Sequence, residues 1–167
     1  MKTPLYSIQL IGSGLLSIMP RPNASNEMSK EFEAIAATGI KCIVSLLETQ
    51  EALELGLKDE ALLCAQHKID FLSHPIPDFG LPDSVSSFSE VTRLLYQTIS
   101  NGIHTVIHCR GGIGRSGLVA AGVLLHAGYT PQQAFEHIST LRQVKVPETE
   151  EQYSWLVDNQ QFITLRV

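Results

Sequence analysis

No run of eighteen apolar residues occurs in this 167-residue chain, and no N-terminal apolar segment has the form of a secretory signal. Neither a membrane span nor a cleaved leader is expected. Cysteine is scarce: three residues, Cys42, Cys64 and Cys109, with no paired spacing. That count supplies no disulfide framework and points to a reducing, cytoplasmic setting. Basic residues are few, 12 against 17 acidic, for a net charge of −5. Nucleic acid and anionic membrane are therefore not expected as bulk partners. The six histidines show no ligand spacing, so no metal is expected. Repeats, low-complexity stretches and long linkers are also missing, which makes residues 1–167 one expected domain.

What the chain does have is concentrated in His108-Cys109-Arg110-Gly111-Gly112-Ile113-Gly114-Arg115-Ser116-Gly117. An apolar run, 104–107, precedes it and reads as a buried strand; Leu118 to Leu125 follows and reads as a buried helix. A glycine-rich turn between strand and helix lets backbone N–H groups converge. Converging amides at a helix N-terminus attract an anion. The same field stabilises a thiolate, the nucleophilic form of Cys109. Arg115 can reach back over the turn and grip two phosphate oxygens. Ser116 places a hydroxyl near the sulfur. The amides from Arg110 through Gly111, Gly112, Ile113 and Gly114 to Arg115 form the expected phosphate cradle.

Elsewhere strands and helices alternate. Strands are expected over 7–11 and 15–19, a hairpin around Gly12-Ser13-Gly14, and over 41–47 and 69–74. Helices are expected over 28–38, 51–57, 60–67, 85–100, 131–141 and 149–162. In the 85–100 helix, Phe88, Val91, Leu94, Leu95 and Ile99 form the inward face, capped by Asp83, Ser84 or a Ser87/Glu90 box. This alternation implies an α/β fold with a mainly parallel sheet. In such sheets ligands bind beyond the carboxyl ends of the strands. The loops after Leu47, His74 and His108 leave there and bring Glu48, Glu51, Asp78, Cys109 and Arg115 to one rim.

Ester cleavage needs a proton for the leaving oxygen. Asp78, in the loop Pro75-Ile76-Pro77-Asp78-Phe79-Gly80-Leu81-Pro82-Asp83, is the candidate. Asp83 stands just before a helix, where an acid usually caps. Glu51 either pairs with Arg115 or Arg110 or is an exposed helix acid. His108 is expected to bury its ring and fix the loop through hydrogen bonds. Arg21, between two prolines, is a solvated loop residue or a basic group near the site. Cys42 is assigned to the core; Cys64 falls in a helix without further assignment.

The signature H-C-x-x-G-x-x-R-S-G resembles that of the cysteine-dependent protein tyrosine phosphatase superfamily. The segment P-I-P-D-F-G-L-P-D is similar to the acid loop of its dual-specificity branch, the kinase-associated phosphatase type and its bacterial relatives above all. The resemblance implies a compact dual-specificity phosphatase-like fold, a five-stranded, mostly parallel sheet flanked by helices. It implies a hydrolase acting on phosphorylated protein or peptide through a phosphocysteine, with Cys109, Arg115, Asp78 and Ser116 in the chemistry and no cofactor. In tyrosine-specific relatives a Gln-Thr pair and a later Gln orient the hydrolytic water. Thr149 and Gln152 match two of these, and Glu148 replaces the first Gln; the residue reading makes Glu148 and Gln152 an exposed helix start. Three rivals accompany this reading: a phosphate-binding pseudophosphatase, a sulfurtransferase, which would not need Asp78, and a phosphoinositide phosphatase, whose loop often carries lysines absent here.

Overall fold

The computed structural model describes residues 2–165. Its elements run β1 (Tyr6–Ile11), β2 (Gly14–Met19), α1 (Met28–Ala37), β3 (Cys42–Ser45), α2 (Thr49–Glu54), α3 (Glu60–Gln66), β4 (Asp70–Ser73), α4 (Val85–Ser100), β5 (Thr105–His108), α5 (Gly114–His126), α6 (Pro131–Arg142) and α7 (Glu150–Thr164). The sheet has the order β1-β2-β5-β3-β4. Only the β1–β2 hairpin is antiparallel; β5 lies parallel between β2 and β3, and β4 parallel beside β3. The mainly parallel α/β sheet expected from the alternation is therefore present, with the five strands that the resemblance implied.

The central strands are buried at every position because both faces are covered, and each side chain along them goes to one face or the other. Cys42, Val44 and Ile107 pack with Leu16 and Ile18 into a cluster closed by α4, α5, α6 and α7. Ile43, Val106 and Met19 point to the opposite face and meet Phe32 and Ile35 of α1 and Cys64 of α3. Helix α5 is buried from Gly114 to Leu125, as its apolar circumference demands. Cys42 and Cys64 are both core residues, and burial pushes their thiols up to about 11 and about 12, which leaves them unreactive.

For α4 one expectation is corrected and one open choice is decided. Leu94 is not inward but half exposed, at 50%. Thr92 takes the inward place instead, because its Oγ1 donates to the helix carbonyl of Phe88 at 2.8 Å and contacts His126 Nε2 at 2.9 Å. A threonine whose hydroxyl is satisfied within its own helix can be buried without an orphaned polar group. The N-cap is Ser84, whose Oγ accepts from the Ser87 N–H at 3.0 Å. Asp83, another of the cap candidates, is an exposed residue beside His74.

Candidate active site

The site is built on the carboxyl ends of three adjacent parallel strands. Ser45 of β3 and Met19 of β2 both lie opposite His108, and Ser73 lies opposite Ser45. The loops that follow thus start at one height. The Leu46 N–H donates to the His108 carbonyl at 3.0 Å, and the Ile76 N–H to the Leu46 carbonyl at 3.0 Å. These bonds stitch the loops after β3, β4 and β5 together.

Cys109 sits at the floor with 2% of its surface exposed. The turn above it needs glycine at Gly112, whose φ is +70° and whose added Cβ would stand 2.7 Å from the Met19 carbonyl oxygen. Arg115 returns over this turn and is 2% exposed. Its Nη1 donates to Glu51 Oε1 at 2.8 Å and to the Ile76 carbonyl at 2.9 Å; its Nη2 donates to Glu51 Oε2 and to Asp78 Oδ1, both at 2.9 Å. A buried guanidinium is tolerable only with such pairing. Burial works against its charge, but the hydrogen bonds of Glu51 and the charges of Cys109, Glu51 and Asp78 outweigh it and raise its pKa. In turn, the hydrogen bonds from Arg115 outweigh burial and hold the Glu51 carboxyl below its ordinary value.

Glu51 is thus a buried partner rather than an exposed helix acid, and it serves both arginines: Arg110 Nε donates to its Oε2 at 3.2 Å. Asp78 reaches the rim as expected, with its carboxylate 36% exposed. It is held by a tight turn in which the Gly80 N–H donates to the Pro77 carbonyl at 2.7 Å, with Phe79 in the left-handed region at φ +57°. The Phe79 ring is 61% exposed beside it. Gln152 is corrected: it is fully buried rather than part of an exposed helix start, and its Nε2 donates to the Gly80 carbonyl at 3.2 Å, tying α7 to the acid-bearing turn. Thr149 caps α7 and forms a capping box with Gln152. Ser116 is fully buried, and its hydroxyl has no hydrogen-bond partner among the described residues, Cys109 included. Arg21 contributes through its backbone, the N–H donating to the Arg110 carbonyl at 3.2 Å.

Sequence reasoning missed two residues that shape the loop. His108 buries its ring as expected, with Nδ1 on the Cys109 carbonyl at 3.0 Å. Its Nε2 meets Glu60 Oε1 at 2.6 Å, and that carboxylate is itself buried. An acid in the first turn of a helix ordinarily reads as a solvated partner of the helix dipole. Only the need of a buried ring for a second partner hinted at Glu60. Glu60→Ala should lower unfolding free energy by about 3 kcal/mol, the scale of breaking a buried pair. Urea denaturation checks this, and an unchanged midpoint contradicts it. The second residue, Arg142, donates from Nε to the Gly112 carbonyl at 2.9 Å and from Nη2 to the Gly111 carbonyl at 3.3 Å, while its guanidinium lies 4.0 Å over the Tyr6 ring. These two bonds tie the turn to the end of α6.

No helix among the described residues is long and apolar enough to cross a membrane. Residues 17–129 match the model of a family described as "Polymorphic toxin system, DSP-PTPase phosphatase". Over 131 residues the chain is 35% identical to cyclin-dependent kinase inhibitor 3 of Sus scrofa, covering 77% of this chain and 61% of that protein. The Homo sapiens protein of that name is 34% identical over the same shares. The chain therefore spans 61% of the length of these curated relatives. Among solved structures, kinase associated phosphatase with a serine in place of its catalytic-site cysteine superimposes with a TM-score of 0.89 at 26% identity, over 100% of this chain and 99% of that one. Tk-PTP in the active form gives 0.70 at 26% identity, over 93% and 97%.

Proposed function

The chain belongs to the DSP-PTPase phosphatase family, and on that premise we propose that it hydrolyses phosphate monoesters on proteins or peptides, phosphotyrosine and also phosphoserine and phosphothreonine. The observation that carries the proposal is the buried Arg115 guanidinium, which joins Asp78 and Glu51 to the loop of Cys109. Phosphate seats on the amides of Arg110 to Arg115 and on the Arg115 fork, displacing Asp78 from Nη2. The Cys109 thiolate attacks phosphorus in line, and the ester P–O bond breaks as Asp78 gives its proton to the leaving oxygen. Water then attacks the phosphocysteine while Asp78 takes its proton. The P–S bond breaks, and the buried Ser116 hydroxyl donates to the departing thiolate. Amides and guanidinium stabilise the equatorial oxygens throughout. The scheme uses no cofactor, and its reduced thiolate suits a cytoplasmic setting.

Parallel assays on phosphotyrosine peptides, phosphothreonine peptides and phosphoinositide vesicles test the substrate class, and acid quenching tests for a phosphocysteine. Peptide turnover with a trapped thiophosphate bond is expected; turnover of the lipid alone would overturn the reading. Asp78→Asn should slow alkyl phosphates by about 10²–10⁴-fold. Nitrophenyl phosphate, whose leaving group needs a proton least, should lose much less. Asp83→Asn should match the parent, since Ser84 caps α4. Steady-state kinetics decide: the leaving-group-dependent loss in Asp83→Asn instead would move the acid to that residue.

A further inference from the structure

One amide of the loop is already engaged by an anion of its own chain. Glu148 Oε1 accepts from the Gly114 N–H at 3.0 Å, at the first residue of α5. Its seat exists because Gly114 has no side chain: a Cβ there would stand 2.7 Å from that oxygen. The backbone on both sides of Glu148 is pinned. The Val146 N–H donates to Ser139 Oγ at 3.0 Å on one side, and Thr149 caps α7 on the other. Glu148 itself is solvent-exposed. Asp78 on Arg115 Nη2 covers a second donor of the same site. Donors that phosphate needs are thus held by two carboxylates of the chain.

We propose that Glu148 is an intramolecular counter-ligand of the phosphate loop: it must leave the Gly114 amide for phosphate to seat, and it returns to help expel product phosphate. This rests on the loop being the phosphate site. Two consequences follow from competition for one donor. Removing the carboxylate tightens anion binding, whereas damage to the loop would weaken it. Loss of the contact also differs from loss of a nearby charge, because a glutamine at this position keeps an oxygen acceptor for the Gly114 N–H but no charge.

The test is binding of inorganic phosphate by calorimetry, with inhibition of nitrophenyl phosphate hydrolysis in parallel, for the parent chain, Glu148→Ala, Glu148→Gln and Glu150→Gln. Glu150 is an exposed acid two residues away, facing Lys145 at 3.5 Å, and serves as the control for charge alone. Glu148→Ala should bind phosphate roughly tenfold more tightly, the factor expected for one competing charge-assisted hydrogen bond. Glu148→Gln should fall between it and the parent, and the gain should persist at 0.5 M salt, where through-space charge effects are screened. Equal effects of Glu148→Ala and Glu150→Gln, with normal hydrolysis by the parent, overturn the counter-ligand and leave the phosphatase reading standing. Absence of both phosphate binding and hydrolysis in parent and variants overturns the two together.

Discussion

Cys109→Ser should lose turnover by at least about 10⁴-fold, the scale on which removal of a nucleophile acts. The hydroxyl is too weakly acidic to supply an anion at neutral pH, and no neighbouring side chain is placed to take its proton. In this step Asp78 is the proton donor to the leaving oxygen and cannot also serve as the base, and both ring nitrogens of His108 are spent on the Cys109 carbonyl and Glu60. The cradle itself does not depend on the sulfur. Its shape is set by Gly112 against Met19, by Arg142 on the carbonyls and by Arg115 on Glu51. Inorganic phosphate should therefore bind the variant at least as tightly as the parent, because the anionic sulfur that would face the phosphate is gone. Stopped-time assays with nitrophenyl phosphate and phosphate calorimetry measure the two quantities. A residual rate above one hundredth of the parent would remove Cys109 from the mechanism.

Arg115→Lys should cost about 10³–10⁵-fold in rate, as loss of a transition-state guanidinium does in phosphoryl transfer. A lysine keeps the charge but offers one point of attachment, whereas Arg115 spreads its bonds over Glu51, Asp78 and the Ile76 carbonyl. Stability should fall as well, with a pH dependence that follows from Glu51. Its carboxyl is held by Arg115 below the ordinary value of 4.5. Such a group contributes stability that is fully present above the unfolded pKa and is lost as pH falls through the lower folded value. The gap in unfolding free energy between parent and variant should be full at pH 7 and narrow below pH 4.5. Denaturant titrations across that range, with the assay at neutral pH, check both parts. A gap that widens on acidification would contradict the role given to the pair.

Residues on one strand-turn-helix unit were legible in the sequence, as were those on loops that leave the same edge of a parallel sheet. Cys109, Arg115, Asp78, Glu51 and His108 fall in that class, because the direction of the strands alone places them together. What was hidden depends on packing between distant segments. Glu60 lies 48 residues from His108, and Arg142 lies 30 from Gly112. An acid opening a helix has the same local pattern whether it is solvated, like Glu150, or buried, like Glu60. Gln152 shows the same ambiguity: its burial comes from the turn at Gly80, not from α7. Thr92 takes the inward place expected of Leu94 for a similar reason, since hydropathy does not register a hydroxyl already bonded to its own helix.

The common height of Met19, Ser45, Ser73 and His108 across the parallel ladders has a bearing on how the chain can vary in length. One residue inserted within β3, β4 or β5 would turn every later side chain of that strand to the opposite face and lift its loop out of line with the other two. Insertions at the opposite edge, in the connections 38–41, 67–69 and 101–104 that lead into those strands, leave the rim untouched. The sheet thus divides the chain into an edge where residue number is fixed by chemistry and an edge where it is free to drift.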